Sequence, residues 1–310
     1  MSRRVVTVFG ASGFLGRHLV KRLVKEGFII RAAVRDVDAA LFLKTMGDVG
    51  QVVIVQANIA NPASVAAAIE GADAAVNLVG ILVERGRRTF QRLHADGPAY
   101  LAAAAARAGL GRLVQVSAIG ADAESESAYA RTKASGEAMA RTAFPEVTVV
   151  RPSVVFGPED KFFNLFAAMT RCLPALPLIG GGATRLQPVY AGDVAQAICR
   201  ILASPETRGQ TYELGGPKIY TFRQLMEMML AEVHRRRPLV PVPFAMASIE
   251  AWFLEKTPWP LLTRDQVKLL KRDNVVASSA LGLDALGIAP TPLEAILPTY
   301  LARYRPAGAL

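Results

Sequence analysis

The sequence predicts a doubly wound α/β fold: a parallel sheet with helices on both faces, and a smaller, mainly helical C-terminal lobe. Three observations predict it. Short β-branched runs alternate with helix-length amphipathic stretches through the first half, a glycine-spaced turn joins the first run to the first helix, and the alternation lapses after Arg151. Parallel neighbours need crossover connections of about a dozen residues or more, which repeated units of this length supply.

Residues 5–9 are a near-continuous β-branched and aromatic run, as expected of a strand buried on both faces. Residues 14–25 read as a helix, with Leu15, Leu19, Leu23 and Val24 as its inward stripe and Gly27 as its stop. Residues 28–34, 52–56 and 74–79 follow as strands. Asn61 caps the helix between the last two, Pro62 opens it and Gly71 closes it. An alanine-rich helix over 100–108 permits close approach to the sheet, and residues 113–116 and 147–150 supply two further strands. Beyond Arg151, residues 188–190 read as a returning strand, Asp193 as the cap of a helix reaching about Leu202, and the chain from Thr221 onward as mainly helical. The expected domains are 1–155 with 184–215 returning to it, and 156–183 with 216–310.

Hydrophobic residues make up 52% of the 310 and charged ones 20%, which supplies a large core and argues against disorder. Cys172 and Cys199 both sit in apolar stretches and read as buried thiols in a reducing compartment. With so few Cys and His, no metal site is expected. Met1-Ser2-Arg3-Arg4 runs straight into the first strand, so no signal peptide is expected. The most apolar stretch, 238–254, is too short and too broken by prolines and Glu250 to span a bilayer alone.

A formal charge of +10 implies an acidic partner: nucleotide phosphates, an anionic membrane face or another protein. Nucleic acid is not expected, because no Lys/Arg run is interleaved with exposed aromatics. Arg85, Arg87 and Arg88 form one basic spot. Arg235, Arg236 and Arg237, followed by Trp252 and Trp259 amid Lys256, Arg264, Lys268, Lys271 and Arg272, form a second. That basic, aromatic and apolar surface suits a membrane interface or a partner at it; an ordinary solvated face is the alternative.

The loop Gly10-Ala11-Ser12-Gly13-Phe14-Leu15-Gly16 stands between the first strand and the first helix. Its first glycine permits the tight turn, its second removes a Cβ where a pyrophosphate approaches, and its third lets helix and sheet pack closely. The helix N-terminus adds unpaired N–H groups and a positive dipole end, which is the dinucleotide-binding arrangement of a Rossmann unit. The second strand ends Ala33-Val34-Arg35-Asp36. With Val34 at the end, no carboxylate meets the ribose and Arg35 pairs with a 2′-phosphate, favouring NADP(H) over NAD(H). A register shift of two makes Asp36 the ribose ligand instead. Asn58 and Ile59 follow the third strand at the adenine end, and Asn77-Leu78-Val79-Gly80 passes beside the cofactor ribose.

Tyr129 and Lys133 stand at i and i+4 on one helix face. A neighbouring cation favours the phenolate and lowers the tyrosine pKa, making a candidate general acid/base, with Ser117 placed to hold a substrate oxygen. These elements, with Arg151-Pro152-Ser153-Val154-Val155-Phe156-Gly157, resemble the short-chain dehydrogenase/reductase (SDR) superfamily in its extended or atypical branch. The resemblance implies that Tyr129 is the acid/base, that Lys133 also binds the nicotinamide ribose, and that Pro152 to Val155 lie near the nicotinamide. One departure is His94, where extended members carry an Asn that completes a proton relay; a histidine there either substitutes in a relay or fills space.

Later segments narrow the resemblance. Phe144-Pro145-Glu146, Phe163-Asn164, Gln187 to Tyr190 with Asp193, Thr263-Arg264-Asp265, and Leu286 to Ile288 with Thr291 to Glu294 occur in order. Together they are similar to the SDR-like accessory-subunit family of respiratory complex I, alpha-subcomplex subunit nine, and its bacterial relatives. That resemblance implies a tightly held, structural NADPH and docking among complex I subunits where the peripheral and membrane arms meet. The location implied is the cytoplasmic face of a bacterial inner membrane, or the mitochondrial matrix face. A free NADP(H)-dependent oxidoreductase or epimerase using Ser117, Tyr129 and Lys133 is the competing function, and a nucleotide-sensing regulator the third.

Overall fold

The computed structural model describes residues 4–258 and 260–306, so Trp259 and residues 1–3 of the opening segment lie outside the described residues. In chain order the elements are β1 Val5–Phe9, α1 Phe14–Lys25, β2 Ile29–Val34, β3 Val52–Gln56, α2 Pro62–Ile69 and β4 Ala74–Asn77. Next come α3 Gly97–Arg107, β5 Arg112–Val116, α4 Ala128–Ala143, β6 Thr148–Pro152, β7 Val155–Phe156, α5 Phe163–Cys172 and β8 Leu176–Ile179. The remainder is β9 Arg185–Leu186, β10 Val189–Tyr190, α6 Ala191–Ala203, β11 Thr211–Leu214, β12 Tyr220–Thr221, α7 Phe222–Glu232, β13 Leu239–Val242, α8 Phe244–Leu254, α9 Arg264–Leu269 and α10 Leu293–Leu301.

The chain divides into two compact units. The first holds Met1–Pro152, Gly192–Glu213 and Ser279–Ile288; the second holds Ser153–Ala191, Leu214–Ser278 and Ala289–Leu310. The seven-stranded sheet has the order β11-β6-β5-β4-β1-β2-β3. Its inner pairs are parallel, so the expected doubly wound sheet is present. Val6 and Val8 are fully buried in β1, as are Ile30 and Ala32 in β2, which is why these strands read as apolar runs.

Several boundaries differ from the sequence reading, each for a local reason. The buried face of α1 is Gly16, Leu19, Val20 and Leu23, while Leu15 and Val24 are only half-buried at its margins. β4 stops at Asn77 rather than at residue 79, because the Asn77 amide oxygen accepts from Val79 N–H at 3.0 Å and turns the chain. The alanine helix starts earlier, at Gly97, and is preceded by a π-helical turn over Gln91–Asp96. Val189–Tyr190 does not return to the main sheet; it pairs with Val155–Phe156. The returning strand is β11, whose alternating burial suits an edge. Asp193 sits inside the first turn of α6 instead of capping it, because the helix begins at Ala191. Cys199 is buried, but Cys172 is exposed at the end of α5 beside exposed Arg171.

The second unit has its own core of Phe156, Phe163, Leu176, Leu178, Phe222, Leu225, Met229 and Leu297 with their neighbours. The Tyr300 hydroxyl donates to the Asp160 carboxylate at 2.6 Å, and the amides of Gly157 and Asn164 complete that carboxylate's shell. α8 is turned opposite to a usual amphipathic helix. Its buried residues are Ala247 and Ala251, whereas Met246, Ile249, Trp252 and Phe253 are 61%, 61%, 42% and 60% exposed.

Candidate functional site

In the first unit the strand order reverses between β1 and β4, and the glycine loop lies at that switch point. Gly10 N–H donates to the Ala33 carbonyl at 3.2 Å, and Leu78 N–H to that of Phe9 at 3.0 Å, so both crevice walls are tied to the sheet. Gly10 adopts φ +80, where a side chain would be strained and would press on the Leu78 carbonyl carbon. A Cβ at Gly16 would run into the Gly10 and Ala11 carbonyls. Gly13 stands at the N-cap of α1 with no capping side chain, and the first turn carries no acidic residue. The first-turn amides of Phe14, Leu15 and Gly16 therefore keep the donors and positive dipole end that suit a pyrophosphate. Ala11 is buried, and the Ser12 carbonyl is used by Arg17 Nε at 3.2 Å.

At the adenosine end β2 stops at Val34, in register with Gln56, and Arg35 is the first residue beyond. Arg35, Gln56, Ala57, Asn58 and Ser64 line one cavity of about 310 Å³. The two-residue shift that would make Asp36 the ribose ligand is absent. The Asp36 carboxylate instead accepts from Ala39 N–H at 3.0 Å, opening the next turn. Asn58 is held in place: its N–H donates to Ser64 Oγ at 3.0 Å, and its side chain accepts from Ala60 N–H. Ile59 is not brought to this cavity; it is 4% exposed and belongs to the core. Arg85 and Arg88 pair backbone to backbone as a small antiparallel bridge. Burial, then the charges of Arg35 and Arg85, hold the Arg88 guanidinium below its ordinary value. Three cations thus converge at this end.

The other end is built by β4, β5 and α4. Asn77 Nδ2 donates to Gln115 Oε1 at 2.9 Å, and Gln115 Nε2 donates to the Val116 carbonyl at 3.0 Å. This buried amide pair fixes the two strand ends that carry Val79-Gly80 and Ser117. Val79 packs half-buried against the core. Ser117 N–H donates to the Val150 carbonyl, while its buried hydroxyl has no partner among the described residues. A buried hydroxyl without a partner suits a site completed by a bound polar group.

Tyr129 and Lys133 stand one turn apart on α4, with the ammonium 5.8 Å from the phenol ring centre and 3.4 Å from the Val116 carbonyl. The sequence reading expected the cation to lower the phenol pKa. Burial instead pushes Tyr129 up to about 12, because it takes the phenolate out of water. Burial likewise brings Lys133 down to about 8, against the pull of Glu137 in the other direction.

His94 fills the relay position as a fixed, neutral group. Its Nε2 accepts from Ile81 N–H at 3.0 Å, its ring stacks on Phe90, and it meets Tyr129 edge-on at 5.1 Å. Burial, then the Lys133 charge, holds it down to about 2. Gly136 allows this, since a Cβ there would strike the His94 carbonyl. A Cβ at Gly80 would reach both Lys133 Nζ, at 3.5 Å, and His94 Nε2. Pro152 is buried at the end of β6, and Val155 lies on β7 in the second unit.

Sequence reasoning passed over Gln56, Ser64, Gln115 and Glu137. Glu137 carried a usable signal, because it continues the Tyr129/Lys133 stripe by one more helical turn. Its carboxylate accepts from Arg151 Nε at 3.0 and 3.2 Å and from Nη2 at 2.6 Å.

A reversed parallel sheet, a glycine loop at the switch point and a Ser-Tyr-Lys cluster at the sheet's C-terminal ends define an SDR-type nucleotide-binding protein. The chain belongs to the NAD dependent epimerase/dehydratase family, whose model matches residues 6–215. Membership implies an NAD(P) dinucleotide as ligand. The chain is similar to the mitochondrial NADH dehydrogenase (ubiquinone) 1 alpha subcomplex subunit 9 of Arabidopsis thaliana, 36% identical over 98% of this chain and 79% of that one. It is also similar to the mitochondrial NADH-ubiquinone oxidoreductase 40 kDa subunit of Neurospora crassa, 34% identical over 96% of this chain and 79% of that one. In fold it matches the dTDP-glucose 4,6-dehydratase DesIV of Streptomyces venezuelae, solved with NAD and TYD bound. There the TM-score is 0.75 at 21% identity, covering 97% of this chain and 96% of that one.

Proposed function

We propose that this chain is an NADP(H)-binding accessory subunit of respiratory complex I, in which the cofactor is mainly a structural part. The carrying observation is similarity to complex I subunits over 98% of the chain, well beyond the family match that ends at residue 215. A hydride-transfer enzyme needs a working proton path, and the state of the site speaks for retention without turnover. His94 is a neutral ring whose Nε2 accepts from the Ile81 amide, and burial pushes the Tyr129 phenol up to about 12, which disfavours the phenolate and weakens it as an acid. NADPH is favoured over NADH by Arg35 at the end of β2 and by the nearby Arg85 and Arg88. The test is native electrophoresis of gently solubilised membranes, followed by identification of the nucleotide released on denaturation. Comigration with complex I and released NADPH are expected; a protein that never migrates with the complex ends the proposal.

On this reading the subunit sits where the peripheral and membrane arms meet, on the cytoplasmic or matrix face. Among the described residues no helix is long and apolar enough to cross a membrane. Support for a membrane surface comes from α8, which turns Met246, Ile249, Trp252 and Phe253 outward and sets Lys256 Nζ 3.5 Å above the Trp252 ring. Apolar side chains with a basic rim suit an anionic bilayer interface. Flotation with anionic vesicles, lost on replacing Ile249 and Phe253 by serine, checks this.

The Ser117 hydroxyl, buried and without a partner among the described residues, favours the second reading, a free NADP(H)-dependent oxidoreductase or epimerase. That reading expects substrate-dependent oxidation of NADPH that disappears in Tyr129→Phe.

A further inference from the structure

Lys133, the ammonium that the resemblance assigns to the cofactor ribose, is 5% exposed and, among the described residues, has no carboxylate within hydrogen-bonding distance. The nearest acid on its own helix is Glu137, one turn on and itself 6% exposed. Arg151, reaching from β6, grips that carboxylate through Nε and Nη2 and also approaches Glu213, with Nη1 3.5 Å from its carboxylate. Tyr129, Lys133 and Glu137 therefore form one stripe along α4, each a turn from the next, ending on a guanidinium.

From this arrangement we infer that Glu137 and Arg151 are positioning residues that set the pH range over which Lys133 holds the dinucleotide. The inference rests on the cofactor reading above. The groups facing Lys133 are Tyr129 and Glu137 on α4, His94 from the turn before α3, and the Val116 carbonyl from β5. His94 is neutral and Tyr129 protonated across the neutral range, so Glu137 is the one nearby charge in this set that favours the ammonium. Arg151 opposes it by neutralising that carboxylate. The bidentate grip also fixes where the charge sits, since a free glutamate would rotate toward solvent.

The sign follows directly. Below the pKa of Lys133 in the free protein, near 8, affinity for NADPH is independent of this group. Above it the ammonium must be regained on binding, and affinity falls by about tenfold per pH unit. Glu137→Gln removes the favourable charge and moves this break down by about one pH unit. Arg151→Gln leaves Glu137 un-neutralised and moves it up by a similar amount. The double variant, which contains no orphaned buried charge from the pair, should follow Glu137→Gln.

The experiment is NADPH titration of the full chain by fluorescence from about pH 6.5 to pH 9.5, with thermal melts to select folded variants. Opposite shifts of the break in the two single variants, with the double variant following Glu137→Gln, are the expected result. A purely structural pair would weaken binding equally at every pH, and breaks that coincide in all folded variants overturn the inference. If one single variant fails to fold, the double variant decides alone. Failure of the unmodified chain to bind NADPH at any pH would instead refute the cofactor reading.

Discussion

Replacing Arg35 by glutamine tests what the end of β2 is for. Arg35 is the first residue after Val34 and lines a cavity with Asn58 and Ser64, and its charge is felt at Arg88. A charge-assisted bond to a phosphate contributes about 1.5–3 kcal/mol, and about 1.4 kcal/mol is a factor of ten in affinity. Arg35 is exposed, which places its effect at the low end through solvent screening, and the Arg85 and Arg88 charges remain in the variant. NADPH affinity should therefore fall by roughly tenfold, while NADH affinity, with no 2′-phosphate to lose, stays within about twofold. Fluorescence titration of both nucleotides at low and high salt reads this out, and the NADPH preference of the unmodified protein should narrow as salt rises. Equal losses for the two nucleotides would mean that Arg35 shapes the cavity without reading the phosphate. No loss for either would remove the case for NADP(H) at this strand end.

Three further outcomes follow from the geometry. Gly16→Ala forces a Cβ against two backbone carbonyls, so it should cost about 1–3 kcal/mol in denaturant unfolding and weaken NADPH binding; an unchanged midpoint would show that the loop yields freely. His94 is neutral in the folded protein with its pKa depressed to about 2, whereas in the unfolded chain it takes a proton near pH 6.5. Its contribution is complete above that pH and falls by up to about 1.4 kcal/mol per unit as pH drops, a slope that His94→Gln should remove in unfolding measured between about pH 7 and pH 5. Tyr300→Phe takes one donor from the buried Asp160 carboxylate and should lower stability by about 1–3 kcal/mol, with no change in NADPH affinity.

The legible parts of the fold were those where one residue type serves one physical need. β1 and β2 are buried on both faces and read as unbroken apolar runs, and two of the loop glycines are needed, Gly10 for its φ of +80 and Gly16 because a Cβ there would run into backbone carbonyls. β11 escaped notice because an edge strand with half its residues facing out, Thr-Tyr-Glu-Leu, carries no apolar run. Residues 188–190 misled for the opposite reason: a short apolar segment shows that a strand is present but not which partner it pairs with. The end of β4 was set by a single side-chain bond from Asn77, below the resolution of any periodicity.

At the site, spacing along one helix was readable and environment was not. The i, i+4 relation of Tyr129 and Lys133 stands as written, yet its expected consequence was reversed. Burial raises the phenol and lowers the ammonium, each by moving a charged form out of water. His94 shows the same limit from the other side. A histidine in a relay position is chemically competent on paper. Its Nε2 accepts from the Ile81 amide and so ties the ring to the loop after β4, while its Nδ1 lies 3.4 Å from Thr132 Oγ1. Ser117, Tyr129 and Lys133 are present, with His94 where the resemblance expects an Asn, and burial opposes the charged forms of both Tyr129 and Lys133. Burial disfavours the Tyr129 phenolate and the Lys133 ammonium alike, and for the ammonium a counter-charge, Glu137, partly offsets it.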